Sequence, residues 1–180
     1  MGCTFGIDSN GGGEFPGGTP EQVFDWLIDL NHWILKIDDN HTRIEQKAAG
    51  SDVGGGRLGI GAKYRLFFLK WVESRVKRGN TVHITRQQVE HPVDIVIVGF
   101  ERGKKFSFTS DNGNNLATTE FSLASSGSGT RMTIDRHDNL WLCCLFVCCL
   151  SCTKNAIQKY TREKYAEIIA DAWSMRESAS

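Results

Sequence analysis

One capped helix, then strand and turn sequence from Thr42 to His137, then one long amphipathic helix: this order of elements constrains the fold more than any single residue does. A sheet that curls needs something to fill its concave face. A long helix arriving last is well placed to fill it, and an imperfect fit between the two leaves a cavity. The order points to a container for an apolar small molecule more than to a chemical machine.

The helices carry clear local signals. Thr19-Pro20-Glu21-Gln22 is a strong start, with Thr19 as cap, Pro20 at the first helical position and Gln22 completing a capping box. Val23, Phe24, Leu27 and Ile28 then recur at helical spacing, and Trp33, Ile34 and Leu35 suit a short turn packed on the sheet. In the closing helix Ile157, Tyr160, Lys164, Ile168 and Ala172 mark a stripe, reinforced by Tyr165, Ile169 and Trp173. Residues 1–18, with Gly11 to Gly13 and Gly17-Gly18, read as a flexible lead or a poor first strand, and residues 176–180 as a tail.

Between the helices the period changes. Ala62 to Val72 is a strand with Tyr64, Leu66 and Phe68 on one face and Phe67, Leu69 and Trp71 on the other. Thr81 to Val89 alternates, placing Val82 and Ile84 on a face with Arg86, Gln88 and Glu90. His91-Pro92 is expected to break the run before Asp94 to Phe100 resumes it. Lys105 to Thr109, Leu116 to Ala124 and Thr130 to His137 follow, separated by tight turn sequences that suit an antiparallel meander.

These stretches bear a family likeness. Thr19 to Leu27, followed by Asp29-Leu30 and Trp33, resembles the opening of START-like domains of the SRPBCC superfamily, which includes polyketide cyclase/dehydrase and lipid-transport proteins. Gly59-Ile60-Gly61-Ala62 is similar to that family's entry to its long strand, and Gly129-Thr130-Arg131-Met132-Thr133 to its penultimate strand. The likeness covers residues 19–175. It implies an α+β helix-grip fold: a curved antiparallel sheet of about six or seven strands wrapped around a long C-terminal helix, with an apolar cavity between.

Composition narrows the function. The 180 residues suit one domain. With 21 Lys and Arg against 21 Asp and Glu, no field favours nucleic acid. Phosphate-loop, dinucleotide and Ser-His-Asp patterns are absent, and no cofactor or metal is expected. Five of the six cysteines crowd into Cys143–Cys152, too close together for a disulfide framework and without paired C-x-x-C spacing for zinc. They read as packing thiols, or as acylation sites beside the apolar run Leu140 to Leu150. Gly2-Cys3 looks like a dual lipidation start, though Gly6 stands where Ser or Thr is preferred. The expected location is cytoplasmic, with peripheral membrane association as the second reading. The oligomeric state is not legible.

The expected function is carriage of an apolar or amphipathic small molecule, lined by Tyr64, Leu66, Phe68, Ile84, Phe106, Phe108, Phe121, Ile157, Tyr160 and Ile168. The alternatives are a polyketide cyclase or dehydratase and a protein-interaction module. An enzyme would draw on Arg86, Glu90 or Arg136, the last sharing a face with Met132 and Ile134, because a planar guanidinium gives directional charge-assisted bonds. His83, His91 and His137 read as surface or turn histidines.

Overall fold

The computed structural model describes residues 2–50, 59–78, 81–127, 129–143 and 150–177. Its strands are β1 (Gly2–Pro16), β2 (His41–Ala48), β3 (Lys63–Arg78), β4 (Thr81–Glu101), β5 (Lys105–Asp111), β6 (Asn115–Ser126) and β7 (Gly129–Cys143). Helix α1 (Pro20–Leu27) follows β1, two short 3-10 turns (Leu30–His32 and Ile34–Lys36) precede β2, and α2 (Leu150–Lys159) and α3 (Ala166–Glu177) close the chain. The strands form one seven-stranded antiparallel sheet in the order β1-β7-β6-β5-β4-β3-β2. The fold is therefore α+β, a sheet with helices gathered on one face.

Local chemistry explains the elements. The Thr19 hydroxyl accepts from the Gln22 amide at 3.3 Å while the Gln22 side chain accepts from the Thr19 amide at 3.0 Å, so α1 begins on a complete capping box. Along β6, Ala117, Thr119, Phe121 and Leu123 are buried in strict alternation; along β7, Thr130, Met132, Ile134 and Asp138 are buried on one face, with Arg136 between the last two part-buried. These faces meet Tyr165, Ile169 and Trp173 of the C-terminal helix.

Three expectations change. The Gly-rich start is a strand fifteen residues long, in unbroken register with β7 from Gly2–Cys143 to Pro16–Gly129. Glycines in and just after it leave room for the helix: a Cβ on Gly13 would stand 3.4 Å from the Ala166 carbonyl oxygen, and one on Gly18, two residues past the strand, 2.5 Å from the Trp173 ring. His91-Pro92 does not interrupt β4, which runs from Thr81 to Glu101. Pairing with β5 begins only at Asp94, so Pro92 sits where β4 has a single neighbour and a missing N–H is tolerated. The closing helix, finally, is not uniform. Residues Tyr160–Tyr165 form a π-turn between α2 and α3. Tyr165, Ile169, Ala172 and Trp173 are buried as expected, and about the extra residue of that turn Thr161 and Ala166 join them while Tyr160 is exposed.

Aromatic rings fill the end of the interface nearest α1. Trp33 is fully buried, donates from Nε1 to the Leu27 carbonyl at 2.8 Å, and meets Phe121 and Tyr165 edge-on at 5.7 and 6.0 Å. Phe106 and Phe121 stack at 5.8 Å. Trp173 sits between Phe15 and Trp26 at 5.7 and 5.5 Å.

Candidate ligand cavity

At the other end the sheet and helix part. A cavity of about 550 Å³ lies between β3, β4 and β5, the second 3-10 turn and the π-turn. Leu66 and Phe68 of β3, Val93 and Ile95 of β4, and Phe108 of β5 form its sheet wall. Ile34 and Ile37 close one side, and Ala156, Ile157, Tyr160 and Tyr165 form the helix wall. The Tyr160 hydroxyl donates to the Ile37 carbonyl at 2.9 Å, tying helix to turn across the rim.

Facing this apolar wall is a compact polar group. Arg136 donates from Nε and Nη2 to the two oxygens of Asp138, each at 2.8 Å, and from Nη1 to Thr119 at 3.4 Å. Asn115 adds a donor to Asp138 at 2.7 Å. Asp138 is almost wholly buried, yet three donors satisfy it. Burial pulls the Arg136 guanidinium down, but its bonds and charge attraction to Asp138 outweigh that and hold it above its ordinary value. The Asn115 side-chain amide oxygen Oδ1 is buried and takes no hydrogen bond. On the helix side Thr161 accepts from Ser9 at 3.0 Å. Burial pushes the Tyr160 phenol up to about 12 and Tyr165 further, so both stay protonated.

Leu66, Phe68, Phe108, Ile157, Tyr160 and Arg136 thus come together at one cavity. The rest of the expected set goes elsewhere. Tyr64, Phe106 and Phe121 are buried in the solid part of the interface, and Ile168 packs against that core from its margin. Ile84 is 55% exposed, because β4 has left the body of the sheet by that point and its register with Arg75 turns Ile84 to the convex face. Arg86 is also exposed and donates to Glu73 at 2.7 Å, and Glu90 accepts from Arg43 and Thr42 at 3.0 and 3.1 Å. The bond from Arg43 holds the Glu90 carboxyl below its ordinary range on the surface, away from the cavity. His91 is not in a turn: it meets Phe68 edge-on at 5.2 Å and donates from Nε2 to the Asn112 carbonyl. Of the cysteine cluster, residues 144–149 lie outside the described residues, while Cys143 ends β7 and Cys152 lies in α2.

Asp138, Asn115, Thr161 and His41 were not legible as site residues. Asp138 had one readable signal: a second charge two places after Arg136 on the face of Met132 and Ile134. Asn115 reaches the site through register alone, opposite Leu140 and near Asp138. His41 lines the cavity and donates from Nδ1 to the Ile34 carbonyl at 2.9 Å. Among the described residues no cluster of three His, Cys, Asp or Glu side chains is placed to hold a metal ion, and no helix is long and apolar enough to cross a membrane.

No protein-family model matches the chain, and no curated protein matches it in sequence. Solved structures do share its fold. A Staphylococcus aureus protein of unknown function superposes with a TM-score of 0.63 at 12% identity, covering 97% of this chain and 98% of its own. A Thermus thermophilus protein gives 0.64 at 13% identity, over 94% and 98%. An uncharacterised Rhizobium leguminosarum protein gives 0.55 at 7% identity, over 100% and 99%. At such identities the likeness concerns architecture alone, and it runs the length of the chain.

Proposed function

We propose that this chain binds one amphipathic small molecule, lipid- or polyketide-like, non-covalently in the cavity between sheet and helix, as START-like proteins of the SRPBCC superfamily do. The observation that carries the reading is the contrast between the cavity walls. A long apolar surface from Leu66 to Ile157 faces a polar side where Arg136 and Asp138 pair, and Asp38, His41, Ser110 and Asn112 add further polar groups at the lining. Such a site favours a molecule with an extended greasy body and one hydrogen-bonding end, the end lying near Asn115 and Thr161. An apolar body gains about 25 cal/mol for each Å² removed from water. A buried donor on the ligand would gain the Asn115 oxygen as a partner.

The cyclase or dehydratase reading has less behind it. Arg136 commits Nε and Nη2 to Asp138 and Nη1 to Thr119, so it is spent holding the wall together. We place the protein inside the cell. Gly2 and Cys3 stay candidates for lipidation, supported by register that sets Gly2 opposite Cys143 at the start of the cysteine cluster.

Replacing Ala156 by Trp tests the cavity directly, since Ala156 lines it and a large ring there would occupy it. Native mass spectrometry of wild-type protein should show a co-purified ligand, or uptake of an added fatty acid. The Ala156→Trp variant, with unchanged circular dichroism, should show neither. Equal uptake by both proteins would place binding elsewhere and end the proposal.

A further inference from the structure

We infer that the open end of the sheet is a docking face for an anionic lipid bilayer, engaged through the ribbon that β3 and β4 form beyond the body. β2 pairs with β3 only as far as Phe68, and β5 pairs with β4 only from Asp94. From Leu69–Glu90 to Arg78–Thr81 the two strands continue in unbroken register with each other alone. At about 3.4 Å per residue this ribbon reaches roughly 30 Å out. Beyond Leu69, whose amide still reaches Asn40, both its edges lack a partner strand among the described residues.

Its surface is built for an interface between apolar and anionic layers. Five of the ten large apolar side chains exposed among the described residues lie on it: Trp71, Val72, Val76, Val82 and Ile84. Trp71 is 62% exposed. Register puts Trp71, Val82 and Ile84 on the convex face and Val72 and Val76 on the concave one, so apolar groups project both ways. Among them stand the exposed cations Lys70, Arg75, Lys77 and Arg86. Glu73, shared by Arg86 at 2.7 Å and Arg75 at 3.4 Å, and Glu90 at the ribbon's root, paired with Arg43 at 3.0 Å, oppose them. Over residues 69–90 five Lys and Arg stand against two Glu, a positive excess in a chain of zero net charge.

The chemistry selects the partner. A second copy would bring the same positive ribbon and be repelled, and a flat protein partner would cover only one of the two apolar faces. Nucleic acid has no use for exposed Val and Ile. A headgroup layer meets every feature: it is anionic, it surrounds both faces, and it supplies hydrogen-bonding groups to unpaired strand edges that hydrocarbon could not. Trp prefers that depth, and long Lys and Arg stems reach back to phosphate from it.

Position supports the same reading. Following register across the sheet, Asp94 lies opposite Asp111, Asp111 opposite Leu116, Leu116 opposite Asn139, and Asn139 opposite Gly6. The ribbon and the β1–β7 extension that ends in Gly2 and Cys143 therefore leave the sheet at the same end. Leu66, Phe68, Val93 and Ile95, which line the cavity, lie at the root of the ribbon. A docked ribbon would bring the cavity rim to the bilayer.

Sedimentation of unacylated full-length protein with phosphatidylcholine vesicles, with and without phosphatidylserine, tests this. Binding should require phosphatidylserine and weaken as salt rises. It should fall at least about tenfold in a Lys70→Glu, Lys77→Glu double variant and in a Trp71→Ser, Ile84→Ser double variant. All four positions are exposed, so both variants should keep the wild-type circular dichroism spectrum. Ala156→Trp should still sediment, which separates this face from the cavity. Equal binding to neutral vesicles, undiminished binding by either double variant, or retention on an oligonucleotide column but not on vesicles would overturn the inference.

Discussion

The two ends of the space between sheet and helix use the same strands to opposite effect. On β7, Met132 and Ile134 serve the packed end, and two rungs further on Arg136 and Asp138 serve the open one. On β5, Phe106 stacks into the aromatic core while Phe108, also touching that core, lines the cavity. The helix follows suit, regular through Ile169 and Trp173 and loosened into a π-turn at Tyr160–Tyr165. Rings stacked against a regular helix make a floor; rings and aliphatic side chains facing a widened turn make a room. The cavity is thus a product of where sheet and helix part, not of a separate module.

The sharpest way to break this contrast is at the packed end. Trp33→Ala should destabilise the protein by about 4 kcal/mol in urea unfolding, because rings on three sides cannot close over so large a void. Asp138→Ala should follow at about 3 kcal/mol, since it strands the Arg136 charge in a largely enclosed site. A loss under about 1 kcal/mol would mean water reaches the pair and the polar end is an open mouth. Phe68→Ala at the cavity wall should cost only about 1 kcal/mol, because its ring already faces empty space on one side. If that loss matched Trp33→Ala, the two ends would not differ in packing.

The smallest effect depends on pH. The bond that His137 donates to the Asp8 carboxylate, 2.6 Å away, outweighs slight burial and raises the imidazole above its ordinary value. A raised folded value means the pair contributes fully below about pH 6.5, where unfolded histidine is charged, and the contribution is lost as pH rises through the raised value. Exchange of β1 amides near Asp8 should therefore quicken beyond the intrinsic trend across that window, and His137→Gln should abolish the excess.

Much of this was legible from residues. The Thr19–Gln22 box fixes the start of α1, and alternation in β6 and β7 fixes which side chains turn inward, Arg136 among them. Alternation gives a face but not a distance along it. Tyr64, Phe106, Phe121 and Phe108 share one inward face by that logic, yet only Phe108 reaches the cavity. Ile84 failed for a related reason: a strand can outrun the sheet that would bury it, and parity alone does not say which face is the inner one. The helix stripe held at Tyr165, Ile169, Ala172 and Trp173, while Tyr160, at the start of a π-turn that the sequence does not advertise, is exposed. Asn115 needed register between strands, which no local pattern encodes.

The pairing of β1 with β7 also sets an order of events in time. Pro16 waits for Gly129 and Gly2 for Cys143, so the first strand made is among the last able to find its partner. Closing so long a loop must precede any gain from the contacts, which slows folding relative to a chain of local hairpins. Until β1 arrives, β7 carries a bare edge, and bare edges recruit strands from other chains. The glycines that let the helix approach also make β1 a weak competitor for that edge. During synthesis, the protection of β7 therefore rests on the least β-prone strand of the sheet.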